Sequence, residues 1–206
     1  MSTNKAQKRG LTLIETMVAI ALLMLALIPP MSLASQALTS AFYARNQITA
    51  FYLAQEGIEI VRAVRDANII ALAEGNSSVN IFDNIPHGAS LAAAPEFTVD
   101  SLQTTSNALN VCQQTGGVYH CPPLQTNGSL YSYSLSCGVV GGAWTTQDCP
   151  SGSGWTDTTF TRYVQAYVIN GNSDELRVTV TVTWQLGSFS TRTFTISEDL
   201  YKWVTS

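Results

Sequence analysis

The feature that most constrains this chain is an apolar run from Leu11 to Ile28 with a single charge, Glu15. Ten of its 18 residues are Leu, Ile or Val, and the next charged residue after Glu15 is Arg45. As a helix rising 1.5 Å per residue, the run spans about 27 Å, close to the hydrocarbon thickness of a bilayer. The aliphatic residues favour insertion by roughly 3–6 kcal/mol, more than one acid near the end of the span costs. The run therefore predicts a transmembrane helix.

Basic residues precede this helix: Lys5, Lys8 and Arg9 lie within residues 1–10 without an acid. This asymmetry predicts a cytoplasmic N-terminus and an exported C-terminal part. Two other kinds of segment compete with this reading. A secretory signal peptide, with Ser32-Leu33-Ala34 as its small-x-small site, has a shorter apolar region and no acid. An ordinary signal anchor leaves Glu15 unexplained, because acids inside a membrane are rare and usually functional.

The segment Lys8-Arg9-Gly10-Leu11-Thr12-Leu13-Ile14-Glu15 resembles the prepilin motif of type IV pilins and type II secretion pseudopilins. The resemblance implies cleavage between Gly10 and Leu11, N-methylation of Leu11 and a role for Glu15 in filament assembly. Leu11 departs from the Phe or Met that is commoner in the family. A Glu15 carboxylate can neutralise the new α-amine of a neighbouring Leu11, because each buried charge is tolerable only when paired.

After the apolar run, Pro29-Pro30 predicts a kink or a melted turn, because proline removes a helical donor and disfavours helix in the residue before it. The helix then resumes with an apolar stripe suited to packing on a sheet: Leu53, Gly57, Ile60, Val61 and Val64. We expect it to end at Asp66–Asn68. The predicted organisation is a leader at 1–10, a transmembrane segment at 11–28, an amphipathic helical half at 29–68 and an exported globular domain at 69–206.

Strict alternation of apolar and polar residues in Leu176–Leu186 predicts a strand buried on one face. Phe160–Ile169 precedes it and ends at Asn170-Gly171, and Phe189–Ile196 follows the turn residues Gly187-Ser188. These segments predict an antiparallel β-meander at 160–196, and Phe97–Leu102 and Leu130–Leu135 are shorter strand candidates. The predicted fold class is α+β and type IV pilin-like, with a long N-terminal helix packed on an antiparallel sheet.

Four cysteines lie in the predicted exported part, which favours two disulfides. Of the three possible connectivities we favour neighbour pairing, Cys112–Cys121 and Cys137–Cys149. The competing hypothesis is a metal site formed by these thiols and His120, but the spacings fit no zinc pattern. We therefore predict no metal and no cofactor.

Charge and motifs restrict the function classes. Residues 67–206 carry four basic and ten acidic residues, which argues against direct nucleic-acid binding. The chain has two histidines, His87 and His120, and lacks the GxSxG, HExxH and phosphate-loop motifs, so we do not expect an enzyme. Asp174-Glu175 fits a solvated hairpin turn better than a calcium loop, which needs regularly spaced acids.

A second, weaker resemblance concerns the alternating Leu176–Leu186 strand and the closing Leu200 and Trp203, which resemble the pilus-modification group of minor pilins. It implies a filament subunit whose partners are other pilins, the prepilin peptidase and methylase, and the assembly platform of the inner membrane. It also implies a single-pass inner-membrane precursor that later reaches a surface pilus. The alternatives are a type II secretion pseudopilin and an adhesin-like module at a filament tip, for which exposed Trp144 and Trp155 would be evidence.

Overall fold

The computed structural model describes residues 12–101, 108–128, 131–132, 139–140, 143–144, 155–185 and 190–202. The chain divides into two compact units, Met1–Arg45 and Asn46–Ser206. One long helix, α1 (Leu13–Ala73), supplies the described part of the first unit and the beginning of the second. The strands all belong to the second unit.

Residues 13–45 of α1 include both prolines, Pro29 and Pro30, within regular helix. The expected melted turn is therefore wrong, whereas a kink stays a prediction. Each proline removes one hydrogen-bond donor, so the carbonyls of Leu25 and Ala26 lose their i+4 partners. The ring nevertheless fixes φ near the helical value, and the uninterrupted turns on both sides keep the segment helical.

In the second unit, α1 packs on the sheet through one stripe of small and aliphatic residues. Its buried members are Ala50, Leu53, Ala54, Gly57, Ile58, Val61, Val64 and Asn68. The predicted stripe is thereby confirmed, with Ile60 only partly buried at its margin. A Cβ on Gly57 would lie only 3.1 Å from Val180 Cγ1, so the absence of a side chain here lets the helix approach the sheet closely.

The helix ends at Ala73 and not at the predicted Asp66–Asn68. Asn68 is buried, and its side-chain amide donates to the carbonyls of Ile81 (3.1 Å) and Asp83 (2.7 Å). These tertiary bonds and the packing of the next turn hold the helix beyond the expected stop. The end itself is a Schellman motif, in which Gly75 N donates to Leu72 O and Asn76 N to Ala71 O.

Five strands form the main path of the sheet: β1 (Phe97–Val99), β2 (Leu109–Val111), β9 (Thr156–Ile169), β10 (Asn172–Trp184) and β11 (Arg192–Tyr201). Their order in the sheet is β11-β10-β9-β1-β2, and all of these pairs are antiparallel. Two short strands, β5 (Pro123–Thr126) and β6 (Tyr131–Ser132), extend the sheet from β9. Separate pairs are formed by β3 (Gln113–Thr115) with β4 (Val118–His120), and by β7 (Val139–Val140) with β8 (Ala143–Trp144).

The predicted meander is present as β9, β10 and β11. A two-residue turn joins β9 to β10, and both of its residues have positive φ, Asn170 at 51° and Gly171 at 73°, as a type I′ turn requires. The other predicted turn, Gly187-Ser188, lies outside the described residues. The valines of β10 face α1 and form the centre of the core, where Val180 and Val182 have no exposed surface. The α+β helix-on-sheet fold is thus confirmed.

Candidate functional site

The start of α1 holds the residues to which the sequence assigns a function. Thr12 Oγ1 lies 3.4 Å from Glu15 N, and Thr12 O accepts a hydrogen bond from the same amide at 3.0 Å. Thr12 therefore occupies the N-cap position, and the T-x-x-E spacing is that of a capping box. The helix dipole also favours an acid in this first turn. Sequence reasoning missed this capping role, although the T-x-x-E pattern signals it.

The first turns of α1 expose their apolar side chains without cover from the protein. Leu13 is 79% exposed and Ile14 71% exposed. The helix is long and apolar enough to cross a membrane, and none of its most apolar 18-residue window is buried. The exposed aliphatic residues between Leu13 and Ile28 are Leu13, Ile14, Met17, Val18, Ile20, Leu22, Leu23, Met24, Leu25, Leu27 and Ile28. Burial of such a surface in lipid or against other helices is strongly favourable.

The predicted cleavage site, Gly10 and Leu11, lies outside the described residues, so processing there stays a prediction. Residues 5–29 match the family described as the prokaryotic N-terminal methylation motif. The chain carries a prepilin-type methylation motif. In this motif and in its helix-on-sheet fold it is type IV pilin-like or pseudopilin-like, and proteins of the pilin family are structural subunits, not enzymes. No curated protein and no solved structure matches the chain.

One disulfide of the pilin-like domain lies in the described residues and joins Cys112 to Cys121, with 4.8 Å between their Cα atoms. It closes the β3–β4 hairpin, in which Gln113 pairs with His120. The other favoured pair, Cys137 and Cys149, lies outside the described residues and stays a prediction. Among the described residues no group of His, Cys, Asp and Glu is arranged to hold a metal ion.

Arg162 joins the helix to the sheet, and sequence reasoning missed this role. It lies on β9, faces α1 and has no exposed surface. Its guanidinium donates to Leu53 O (2.8 Å) and Glu56 Oε2 (2.6 Å) on the helix, and to Val99 O (3.0 Å) on β1. One side chain thus ties the helix to two strands. The signal in the sequence was an arginine at a position of β9 where the alternation calls for an apolar residue.

Two partly buried ion pairs, Arg62–Glu198 and Arg177–Asp199, hold the C-terminal part of β11. Arg62 of α1 donates hydrogen bonds to Glu198 of β11 and to Glu59 of its own helix, each at 2.6 Å, and the bond that Glu198 accepts raises the pKa of Arg62. Arg177 makes a two-point contact with Asp199 at 2.6 and 2.8 Å, which lowers the pKa of that carboxyl. Both pairs join β11 to its neighbours, so they position this strand.

The remaining candidates for chemistry also serve local structure. His87 Nδ1 lies 2.7 Å from Ile85 O, within its own loop. His120 is exposed beside the disulfide. Asp174 N donates to Asn172 Oδ1 in the β9–β10 hairpin, and its carboxylate lies 3.9 Å from Lys202 Nζ. Trp155 is half-buried, while the side chain of Trp144 lies outside the described residues.

Proposed function

We propose that this chain is a minor pilin of a type IV pilus, of the pilus-modification type. A prepilin peptidase cleaves between Gly10 and Leu11, the new N-terminus is methylated, and the protein enters a filament through its N-terminal helix. The single observation that carries the proposal is the methylation motif at residues 5–29, in register with a helix whose apolar surface the protein leaves uncovered.

The proposal includes a route through the cell. The precursor is a single-pass inner-membrane protein with its N-terminus in the cytoplasm and its sheet domain exported. The partners are other pilins and the assembly platform, and direct nucleic-acid binding is not part of the proposal. The exported compartment is supported by the Cys112–Cys121 disulfide, because such bonds persist in oxidising environments.

Processing is tested by intact-mass analysis of the membrane fraction. The expected mature chain lacks ten residues and carries one added methyl group at Leu11. Gly10→Val should leave the precursor uncut. A mature chain that starts at Ser35 would instead identify an ordinary secreted protein and overturn the proposal.

Assembly is tested with two variants at Glu15. Glu15→Ala removes the charge and a side chain that can complete the capping box, whereas Glu15→Gln keeps a side chain that can complete it and removes only the charge. If Glu15 pairs with the amine of a neighbouring subunit, both variants are cleaved but are lost from sheared filaments relative to membranes. The loss of a partner for a buried amine corresponds to roughly 3–5 kcal/mol. If Glu15 only caps the helix, Glu15→Gln keeps the wild-type ratio.

Deletion of the assembly genes distinguishes a pilus subunit from a secretion pseudopilin. A minor pilin is lost from the cell surface when the pilus assembly platform is deleted. A pseudopilin is instead lost from the envelope when the platform of type II secretion is deleted, and that result would replace the proposal with the pseudopilin alternative.

A further inference from the structure

The loop that follows α1 carries a short motif with a defined chemistry. Asn76-Ser77-Ser78 has the N-x-S spacing of an acceptor for N-linked oligosaccharides. Such an acceptor must lie in a surface loop of an exported protein. Three-residue patterns also arise by chance in a chain rich in serine and threonine, so the surroundings of the motif decide what it means. Residues 74–78 form a loop in which every residue is exposed.

The backbone of this loop holds Asn76 with its side chain accessible to solvent. Asn76 N donates to Ala71 O in the Schellman motif that ends the helix, and Asn76 O accepts from Val79 N at 3.3 Å. The side-chain oxygen Oδ1 accepts a hydrogen bond from Ser78 N at 3.3 Å. This Asx turn brings the third residue of the motif beside the asparagine side chain. Among the residues that the structure describes, none accepts a hydrogen bond from Asn76 Nδ2, so the nitrogen that would react is accessible.

A second N-x-S sequence, Asn127-Gly128-Ser129, has a less suitable setting. Asn127 lies in the short hairpin between β5 and β6, directly after Thr126, which pairs with Tyr131. Gly128 N donates to Thr126 Oγ1 at 3.0 Å, and Asn127 makes an interaction of its own. A transferase that binds this sequence has to open the hairpin. Residues 74–78 belong to no strand, so the loop after α1 can be bound without that cost.

A polar depression adjoins the loop after α1. It has a volume of about 460 Å³, within the range of small-molecule sites. The polar side chains of its lining are Ser77, Ser78, Asn80 and Lys202. Sugar hydroxyls both donate and accept hydrogen bonds, and these hydroxyl, amide and ammonium groups are suitable partners for them. Gly75 and Ser77, the two neighbours of Asn76, both line the depression, so a sugar attached to Asn76 starts beside it.

We propose that Asn76 is an N-glycosylation site of the exported domain. The co-substrate is a lipid-linked oligosaccharide diphosphate. Asn76 Nδ2 forms a bond to C1 of the first sugar, and the bond between C1 and the diphosphate oxygen breaks. The lipid diphosphate leaves with the electron pair of that bond, and one proton of Nδ2 passes to a base of the transferase. Only the export that exposes the loop to this transferase rests on the proposed function.

The site is tested by intact-mass analysis and peptide mapping of the full chain, purified from the membranes of the cells that naturally produce it. The wild type should carry added sugar mass on the peptide that contains Asn76. Asn76→Gln and Ser78→Ala should both lose that mass, whereas Ser78→Thr should keep it because threonine preserves the hydroxyl of the motif. Ser77→Ala is the matched control, since it removes a neighbouring hydroxyl and leaves the N-x-S pattern intact.

An exported chain without added mass on this peptide would overturn the proposal. Sugar that persists in Asn76→Gln would overturn it too, because the attachment would then be to a serine hydroxyl. Sugar found only at Asn127 would move the site to the β5–β6 hairpin and refute the assignment to Asn76.

The same spectra separate this proposal from the proposed function. A chain that lacks ten residues and carries the methyl group but no sugar refutes the glycosylation site alone. An uncleaved chain that carries the sugar supports the site and refutes the proposed processing. An uncleaved chain without sugar refutes both.

Discussion

Replacement of Arg162 is the perturbation whose consequence the structure defines best. Arg162→Ala removes a completely buried side chain and its three hydrogen bonds, to Leu53 O, Glu56 and Val99 O. Breaking a buried ion pair costs about 3–5 kcal/mol when the partner stays buried. The side chain of Glu56 is 33% exposed and can be hydrated again, so we expect about 3 kcal/mol, the lower end of that range.

Arg162→Met separates packing from charge. Methionine restores much of the apolar stem but leaves Glu56 without its partner, as alanine does, so its loss should be smaller than that of Arg162→Ala only by the restored packing, about 1–2 kcal/mol. The free energy of unfolding is measured by urea denaturation of the full chain in micelles, followed by near-UV circular dichroism. Lys202→Met is the matched control, because its 3.9 Å pair with Asp174 is exposed and should contribute about 0–1 kcal/mol.

The contribution of the Arg162–Glu56 ion pair itself is measured by a double-mutant cycle. In a double-mutant cycle, Arg162→Met and Glu56→Gln should show a coupling energy of about 0.5–3 kcal/mol, as contacting residues do. Additive effects would mean that the ion pair contributes nothing and that Arg162 acts through volume alone. A loss below about 1 kcal/mol for Arg162→Ala would refute the whole account, since typical domain stabilities make a loss of 3 kcal/mol easy to detect.

Three further predictions use the same denaturation measurement. Gly57→Ala should destabilise the domain by about 1–2 kcal/mol, because the new Cβ would lie 3.1 Å from Val180 Cγ1. This overpacking outweighs the gain of about 1 kcal/mol in helix propensity. A more stable variant would contradict the close approach of helix and sheet. Cys112→Ser with Cys121→Ser should cost about 2.5–3 kcal/mol in the chain-entropy model, and reduction of the wild type should match it. Burial raises the pKa of Glu96, so its ionised form opposes folding above that pKa and its protonated form does not. Glu96→Gln should therefore raise the urea midpoint at pH 7 and leave it unchanged at about pH 3.

The parts of the fold that sequence reasoning anticipated are those that local periodicity determines. The alternation in Leu176–Leu186 predicts β10 and its buried face, because a strand with one buried face needs period two. The spacing of the stripe on α1 likewise identifies the helix surface that packs on the sheet. Asn170-Gly171 predicts the hairpin because both residues tolerate positive φ.

The parts that were missed depend on contacts between distant residues. The helix continues past Asn68 because its amide bonds to carbonyls of the following loop, and no local pattern reports those bonds. In the sequence, Arg162 interrupts the alternation of apolar and polar residues in β9. The carbonyls of Leu53 and Val99 that accept its hydrogen bonds come from distant segments, so only the folded chain reveals them. Both residues break a local rule, and tertiary hydrogen bonds compensate for each.

Glu15 has two physical roles that differ in what they require of the side chain. A capping residue at this position needs a hydrogen-bond acceptor, and glutamine supplies one without a charge. A charge within an apolar span costs up to about 2.5–3.5 kcal/mol, and the helix dipole returns only about 0.3–1 kcal/mol of this to an acid in the first turn. A cation that approaches the carboxylate would offset the remainder, and the amine that the proposed cleavage creates at Leu11 is such a cation. The cap seen at Thr12 therefore explains where the helix begins, and the proposed pairing would explain why its first turn holds an acid.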